Sequence, residues 1–300
     1  MGKKAAAIEA LTTHGLLNEL KVAVDEITRA TIHEKGIYGL AIRASVAKSF
    51  EFTSLVHQDP PPEHGFFITA TLRGICEDLI TFTFLESLSE DDRNQALTLL
   101  MNANLAEGIA AQSDFFSLNR PWQPVVQPSK QSGEVAEQQL RTLSAKLGWT
   151  GRQSWPTVWH MAKVARMHEL YSYLYSTTSK WVHFSPQILL RMGWGGGKDD
   201  HANEHTEWKF TTTNFSRYYA EFSQIYSLLL LLKLLRGPAA TFLPDIAQKI
   251  VIALETRLNE PIRWPEAVTY EELNLEGPTS IMRIFLRATH EIKSEVKRGG

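Results

Sequence analysis

Cysteine is nearly absent from this chain. The single thiol, Cys76, excludes an internal disulfide and a cysteine-based zinc cluster, a usage that fits a reducing compartment. A long apolar run is missing as well. The most hydrophobic stretch, Ile225 to Leu235, is eleven residues long and contains Lys233, where a membrane-spanning helix needs roughly twenty. It reads as a core helix. A secretory leader is not evident: Met1-Gly2-Lys3-Lys4 is followed by a short alanine run with Glu9 and His14 close behind, and Ala6 stands where a myristoylation motif wants Ser or Thr. Bias towards disorder, collagen or a disulfide scaffold is lacking too, and 300 residues of which 43% are hydrophobic can bury one large core or two smaller ones. These absences give the expectation of a cytoplasmic globular protein without membrane association, metal or cofactor.

What is there is unevenly charged. The net charge is −2, yet from Gln138 to Lys198 a single acid, Glu169, faces Arg141, Lys146, Arg152, Lys163, Arg166, Lys180, Arg191 and Lys198. That surplus of positive charge creates a local field able to draw phosphates. The plain alternative is pairing of these bases with acids of other helices, since the helical period scatters them over more than one face.

The periodicity predicts a mainly α protein. Leu16, Leu20, Val24 and Ile27, then Leu40, Ile42, Val46 and Phe50, mark two helices interrupted near Lys35-Gly36. The proline run from Gln58 to Gly65 breaks the chain, and an apolar helix follows over Phe66 to Leu88. Ser89 with Glu90, Asp91 and Asp92 starts the next helix, expected to reach about Phe116. A loop over Ser117 to Gly133 and a helix over Glu134 to Lys146 come next. Ser154-Trp155-Pro156 opens a further helix carrying the chain to Leu190, with Pro186 as a kink or restart. Thr206 to Thr213 alternates enough for one short strand. Asn214 to Arg236 is a core helix stopped by Gly237-Pro238, and helices are expected near 244–258 and 278–297. The expected architecture is a single helical bundle over 1–237, with a smaller helical appendage over 238–300 packed on it and at most one short strand or hairpin.

Between Leu170 and Leu190, Tyr171, Tyr175, Ser179 and His183 recur every four residues, and residues so spaced share a helix face. A solvated face would carry Lys and Glu, so this stripe is expected to face protein or ligand. Arg73 and Glu77 lie four apart on an otherwise apolar helix, and buried charges must be paired or hydrogen-bonded. The economical expectation is that the two faces meet. Functionally, His183 would then supply acid–base chemistry, Arg73 would stabilise an anion and Glu77 would orient a partner. The structural alternative has these groups only fixing helix register. Trp149, Trp155 and Trp159 among Arg152, Lys163 and Arg166 suit nucleotide stacking and clamping, or core packing.

The Arg73-x-x-x-Glu77 helix, the Tyr175-x-x-x-Ser179-x-x-x-His183 helix and the following Ser185-Pro186 resemble the bacterial family called domain of unknown function 5677 over about Phe66 to Pro186. The resemblance implies a helical cytoplasmic domain similar to the HEPN ribonuclease-like proteins of toxin–antitoxin and antiphage systems. The HEPN pattern, Arg followed by His after four to six residues, is absent: Arg29 to His33 and Arg287 to His290 are too close. A ribonuclease site would have to bring Arg73 and His183 together from separate helices.

Three other motifs are cheaper matches. His201-Ala-Asn-Glu204-His205 has the H-x-x-E-H spacing of one metallopeptidase class but follows a glycine-rich loop. Cys76 could pair with His183 as a nucleophile, although a lone cysteine in an apolar helix is usually a small core residue. The Gly195-Gly-Gly-Lys198 loop lacks Walker spacing. The leading expectation is a defence or toxin-like protein that binds or cleaves RNA, or another phosphate-bearing ligand. Arg73, Glu77, Tyr175, Ser179 and His183 would be its catalytic cluster, and Arg152, Lys163, Arg166, Lys180 and Arg191 would contact nucleic acid. The alternative is a noncatalytic adaptor or sensor that binds a partner protein, with a structural cluster.

Overall fold

The structure, a computed structural model, describes residues 11–30, 36–58, 60–127, 130–149, 154–195 and 208–268. Helices α1 (Thr13–Thr28) and α2 (Gly36–Val56) are followed by a 3-10 turn at Pro62–His64, then α3 (Gly65–Leu85), α4 (Glu90–Asn119), α5 (Lys130–Lys146) and α6 (Val158–Val164). Helix α7 is composite: its α-helical ends, His168–Leu170 and Ser176–Val182, are joined by a π-helical turn at Tyr171–Tyr175. After α8 (Pro186–Arg191), strands β1 (Gly193–Gly195) and β2 (Trp208–Phe210) pair antiparallel with Trp194 opposite Lys209. Helices α9 (Ser216–Arg236) and α10 (Asp245–Asn259) complete the described chain. The fold is mainly helical, as its periodicity predicts.

Helix starts follow local chemistry. Thr12, Ser89 and Thr157 each accept a backbone N–H of the first turn through their hydroxyls, and α4 adds three acids there. Helix α2 has a different device. Gly36 adopts a left-handed φ of 72°, and a Cβ there would run into the Asn94 side chain. Asn94 Oδ1 instead accepts from Tyr38 N at 2.9 Å, so α4 caps the start of α2.

Helix α9 is the centre. Leu228, Leu230, Leu231, Leu232, Leu234 and Leu235 are all buried, as expected of a helix apolar all round. Helices α2 and α3 pack on it, with α1 beside α2, α10 against α1 and α9, and α6 and α7 on the far flank of α3. Helix α10 does not stand apart after Pro238. Ala247, Ile250, Val251, Leu254 and Leu258 lie in the same core as the earlier helices, and Arg236 holds Glu255 through two hydrogen bonds of 2.8 and 2.9 Å. The expected helix at 278–297 lies outside the described residues.

Helices α4 and α5 form an arm with its own small core of Ala96, Leu99, Leu140 and Leu143. They run antiparallel, since Lys146 at the end of α5 pairs with Asp92 at the start of α4 at 2.6 Å.

Candidate functional site

Helices α3 and α7 do meet, and they are antiparallel: Trp181 packs edge-on against Phe66 near the start of α3, while Tyr175 meets Arg73 farther along. The Arg73 Nη2 donates to the Tyr175 hydroxyl at 2.9 Å, and the guanidinium carbon lies 5.1 Å from the ring centre. Tyr171 stacks on Tyr175 at 4.9 Å with an interplanar angle of 18°. The π-helical turn runs from one of these tyrosines to the other, and Ser176 Oγ, just past its end, donates to Tyr171 O at 3.2 Å. Such turns are frequent at functional sites.

Arg73 is half-buried, and no carboxylate among the described residues lies within ion-pair distance of it. Its Nε is buried without a hydrogen-bond partner. Glu77, half-buried one turn on, is not paired with it. Across the open strip of α3, Lys48 pairs with Asp78 at 2.9 Å and sits over Gly74, 3.4 Å from where a Cβ would stand. The strip therefore has a paired cation on one side and an unpaired one on the other.

Other members of the expected cluster go elsewhere. Ser179 donates its hydroxyl to the Tyr175 carbonyl at 2.7 Å, within its own helix. His183 is not on the helical stripe. It is the C-cap of α7, with an extended ψ of 159°, and is exposed. Its place in the chain is about 12 Å along the axis from Tyr175, at 1.5 Å per residue. The helix expected from Ser154 is divided at Arg166, whose φ is 56°, and ends at His183, and Pro186 restarts it as α8, one of the two outcomes expected of that proline. Cys76 is buried, and burial, reinforced by the Glu77 carboxylate, pushes its thiol from 9.0 to about 12. A thiol so protonated is a core residue rather than a nucleophile.

Of the bases expected to contact nucleic acid, Lys163, Arg166 and Lys180 are exposed, and Lys163 Nζ lies 4.5 Å from the Trp159 ring centre. Arg152 lies outside the described residues, as do His201, Glu204 and His205. Among the described residues no group of three His, Cys, Asp or Glu is placed to hold a metal ion. Arg191 corrects the expectation. At 1% exposure it points into the protein, its Nη2 donates to Ala267 O at 2.9 Å, and its guanidinium lies 4.9 Å from the Tyr218 ring centre. Burial removes it from any phosphate-contacting surface.

Arg191 belongs to a cluster that the sequence reading missed. The Tyr226 and Tyr173 hydroxyls lie 2.8 and 3.0 Å from Pro265 O and 3.1 Å from each other, and Tyr218 donates to Glu266 O at 2.7 Å. Three successive carbonyls of the strap that follows α10 are thus taken up by the body. Burial pushes the Tyr226 and Tyr173 hydroxyls above their ordinary range, which keeps them protonated as donors. The four-residue spacing of Tyr218, Phe222 and Tyr226 inside a leucine-rich helix was the available signal.

Residues 63–201 match the model of a family described as Family of unknown function (DUF5677). The match includes Arg73, Glu77, Tyr175, Ser179 and His183. It is the family that the motifs of α3 and α7 resemble. No curated protein and no solved structure matches the chain. Among the described residues, no helix is long and apolar enough to cross a membrane.

Proposed function

We propose that this protein binds RNA, with Arg73 as the anchor for a backbone phosphate and the stacked Tyr171 and Tyr175 as the adjoining aromatic surface. One observation carries the reading: a half-buried guanidinium, held over Tyr175, that among the described residues has neither a carboxylate partner nor a partner for its Nε. Partial burial of an uncompensated cation is costly, and a phosphate is a natural counter-charge for it. The exposed Lys163, Arg166 and Lys180 add a diffuse attraction. Binding is favoured over cleavage because His183 stands too far along α7 to work on a phosphate held at Arg73. A cytoplasmic role in a defence or toxin-like system is the setting suggested by the resemblance to HEPN-like proteins.

Fluorescence anisotropy with a labelled single-stranded RNA tests this. Arg73→Ala should weaken binding about tenfold or more and reduce the salt slope by about one. Arg73→Lys should recover part of the loss, and His183→Ala should leave affinity unchanged. The adaptor reading draws on the Arg73–Tyr175 hydrogen bond as a tie between α3 and α7. It predicts that Arg73→Ala lowers stability by about 1–3 kcal/mol while wild type shows no salt-dependent RNA binding, an outcome that would overturn the proposal.

A further inference from the structure

Helix α4 carries two faces with the spacing of a helix that packs twice. Ala96, Leu99, Ala103, Ala106, Ala110 and Ser113, three and four residues apart, are buried or half-buried against α5. On the opposite side Met101, Leu105, Gly108, Gln112 and Phe115 recur at intervals of four, three, four and three. Met101, Leu105 and Phe115 are between 50% and 60% exposed, and a Cβ built on Gly108 would meet no atom within 4 Å. Leu118 and Trp122 beyond them are 85% and 79% exposed.

Solvent does not explain this face. From Met101 to Gln127 the only charged residues are Glu107, Asp114 and Arg120, whereas α5 exposes Glu134, Glu137 and Arg141. Exposed apolar patches of this extent mark interaction surfaces.

We propose that the outer face of α4 is an interface between two copies of this chain, crossing antiparallel with Gly108 on the two-fold axis. An isologous contact sets one face against its own copy, so that residue i meets j and j meets i. Met101 and Phe115 each lie seven residues from Gly108, so Met101 of one copy meets Phe115 of the other in a sulfur–aromatic contact. The two glycines face each other where the backbones approach most closely. Asp114 of one copy stands opposite Asn102 of the other, so this register sets no acid directly against an acid.

Size and reach agree with that occupant. The exposed apolar side chains from Met101 to Val126 amount to about 600 Å² per copy at the usual areas of such groups, against about 800 Å² buried by each partner in a stable interface. The same register brings Trp122 of one copy opposite Asn94 of the other. A cavity of about 520 Å³ opens there, lined by Tyr38, Leu40, Arg93, Asn94 and Phe242 among others. An indole entering a pocket beside a guanidinium is the kind of anchor that dominates interfaces.

Sedimentation equilibrium of the full chain from about 1 to 100 μM, with cross-linking in a Cys76→Ala background, tests the proposal. Wild type should dimerise, and Gly108→Glu should weaken dimerisation at least a hundredfold. Its thermal midpoint should be unchanged or higher when both are measured as monomers, because glycine is unfavourable inside a helix. Gly108→Cys should form a disulfide-linked dimer under mild oxidation. Met101→Cys alone should not, whereas Met101→Cys with Phe115→Cys should. A wild type that is monomeric at 100 μM, a dimer that survives Gly108→Glu, or cross-linking of Met101→Cys alone would each overturn the antiparallel interface.

Discussion

Arg73 and Arg191 are the same residue type in opposite circumstances. Arg191 is sealed, and its guanidinium is committed to a backbone carbonyl and aromatic faces. Arg73 is half-buried, with its Nη2 on Tyr175 and its Nε without a partner. Arg191→Met should therefore cost about 2–3 kcal/mol in denaturant unfolding, chiefly from an unsatisfied Ala267 carbonyl, with RNA affinity of the folded protein unchanged. Cys76 sets an alkaline limit. Its thiol ionises near 9.0 when unfolded and at about 12 when folded. The stability it contributes is therefore complete below pH 9 and is lost as pH rises towards 12. Burial raises Tyr38 and Tyr226 as well, which acts in the same direction. The urea midpoint should fall progressively above pH 9, and Cys76→Ala should lessen the fall. The sequence made Arg73 legible, because an arginine in an apolar helix must find a partner. It could not separate Arg191 from Lys163 and Arg166, since charge counting along a chain carries no information about which side chains turn inward.

The helices show where local chemistry was sufficient. Ser89 with three acids after it fixed the start of α4, and Ser89→Ala should lower stability by about 1 kcal/mol, measurable as a small decrease in the urea midpoint at constant m-value. The Pro62–His64 turn and the start of α3 at Gly65 were likewise written in the proline run. Helix α7 was not. Counting in fours assumes 3.6 residues per turn throughout, and the π-helical turn at Tyr171–Tyr175 breaks that assumption at the centre of the stripe. The left-handed backbone of Arg166 leaves no comparable mark in composition, whereas Pro186 marked the break after His183 to within a few residues. The stripe therefore divided, with Tyr171 and Tyr175 joining Arg73, Ser179 turning back on its own helix and His183 leaving the face.

At the scale of the molecule, a large core around α9 coexists with an arm whose own core is small. Helical spacing of apolar residues and the run from Ile225 to Leu235 foretold the first. The second was hidden, because a helix that packs on two sides looks in sequence like one with no amphipathic side at all. Amide exchange should be slowest in α9 and α3. The distal part of α4 should gain protection as protein concentration is raised, whereas constant fast exchange at all concentrations would leave the arm a solvated hairpin. The strap after α10 is held by its backbone: Pro265, Glu266 and Ala267 present carbonyl oxygens to Tyr226, Tyr173, Tyr218 and Arg191. Every residue type has that oxygen. The strap can accordingly be rewritten over evolutionary time, or by an engineer attaching a new recognition loop, while the four side chains that read it stay fixed.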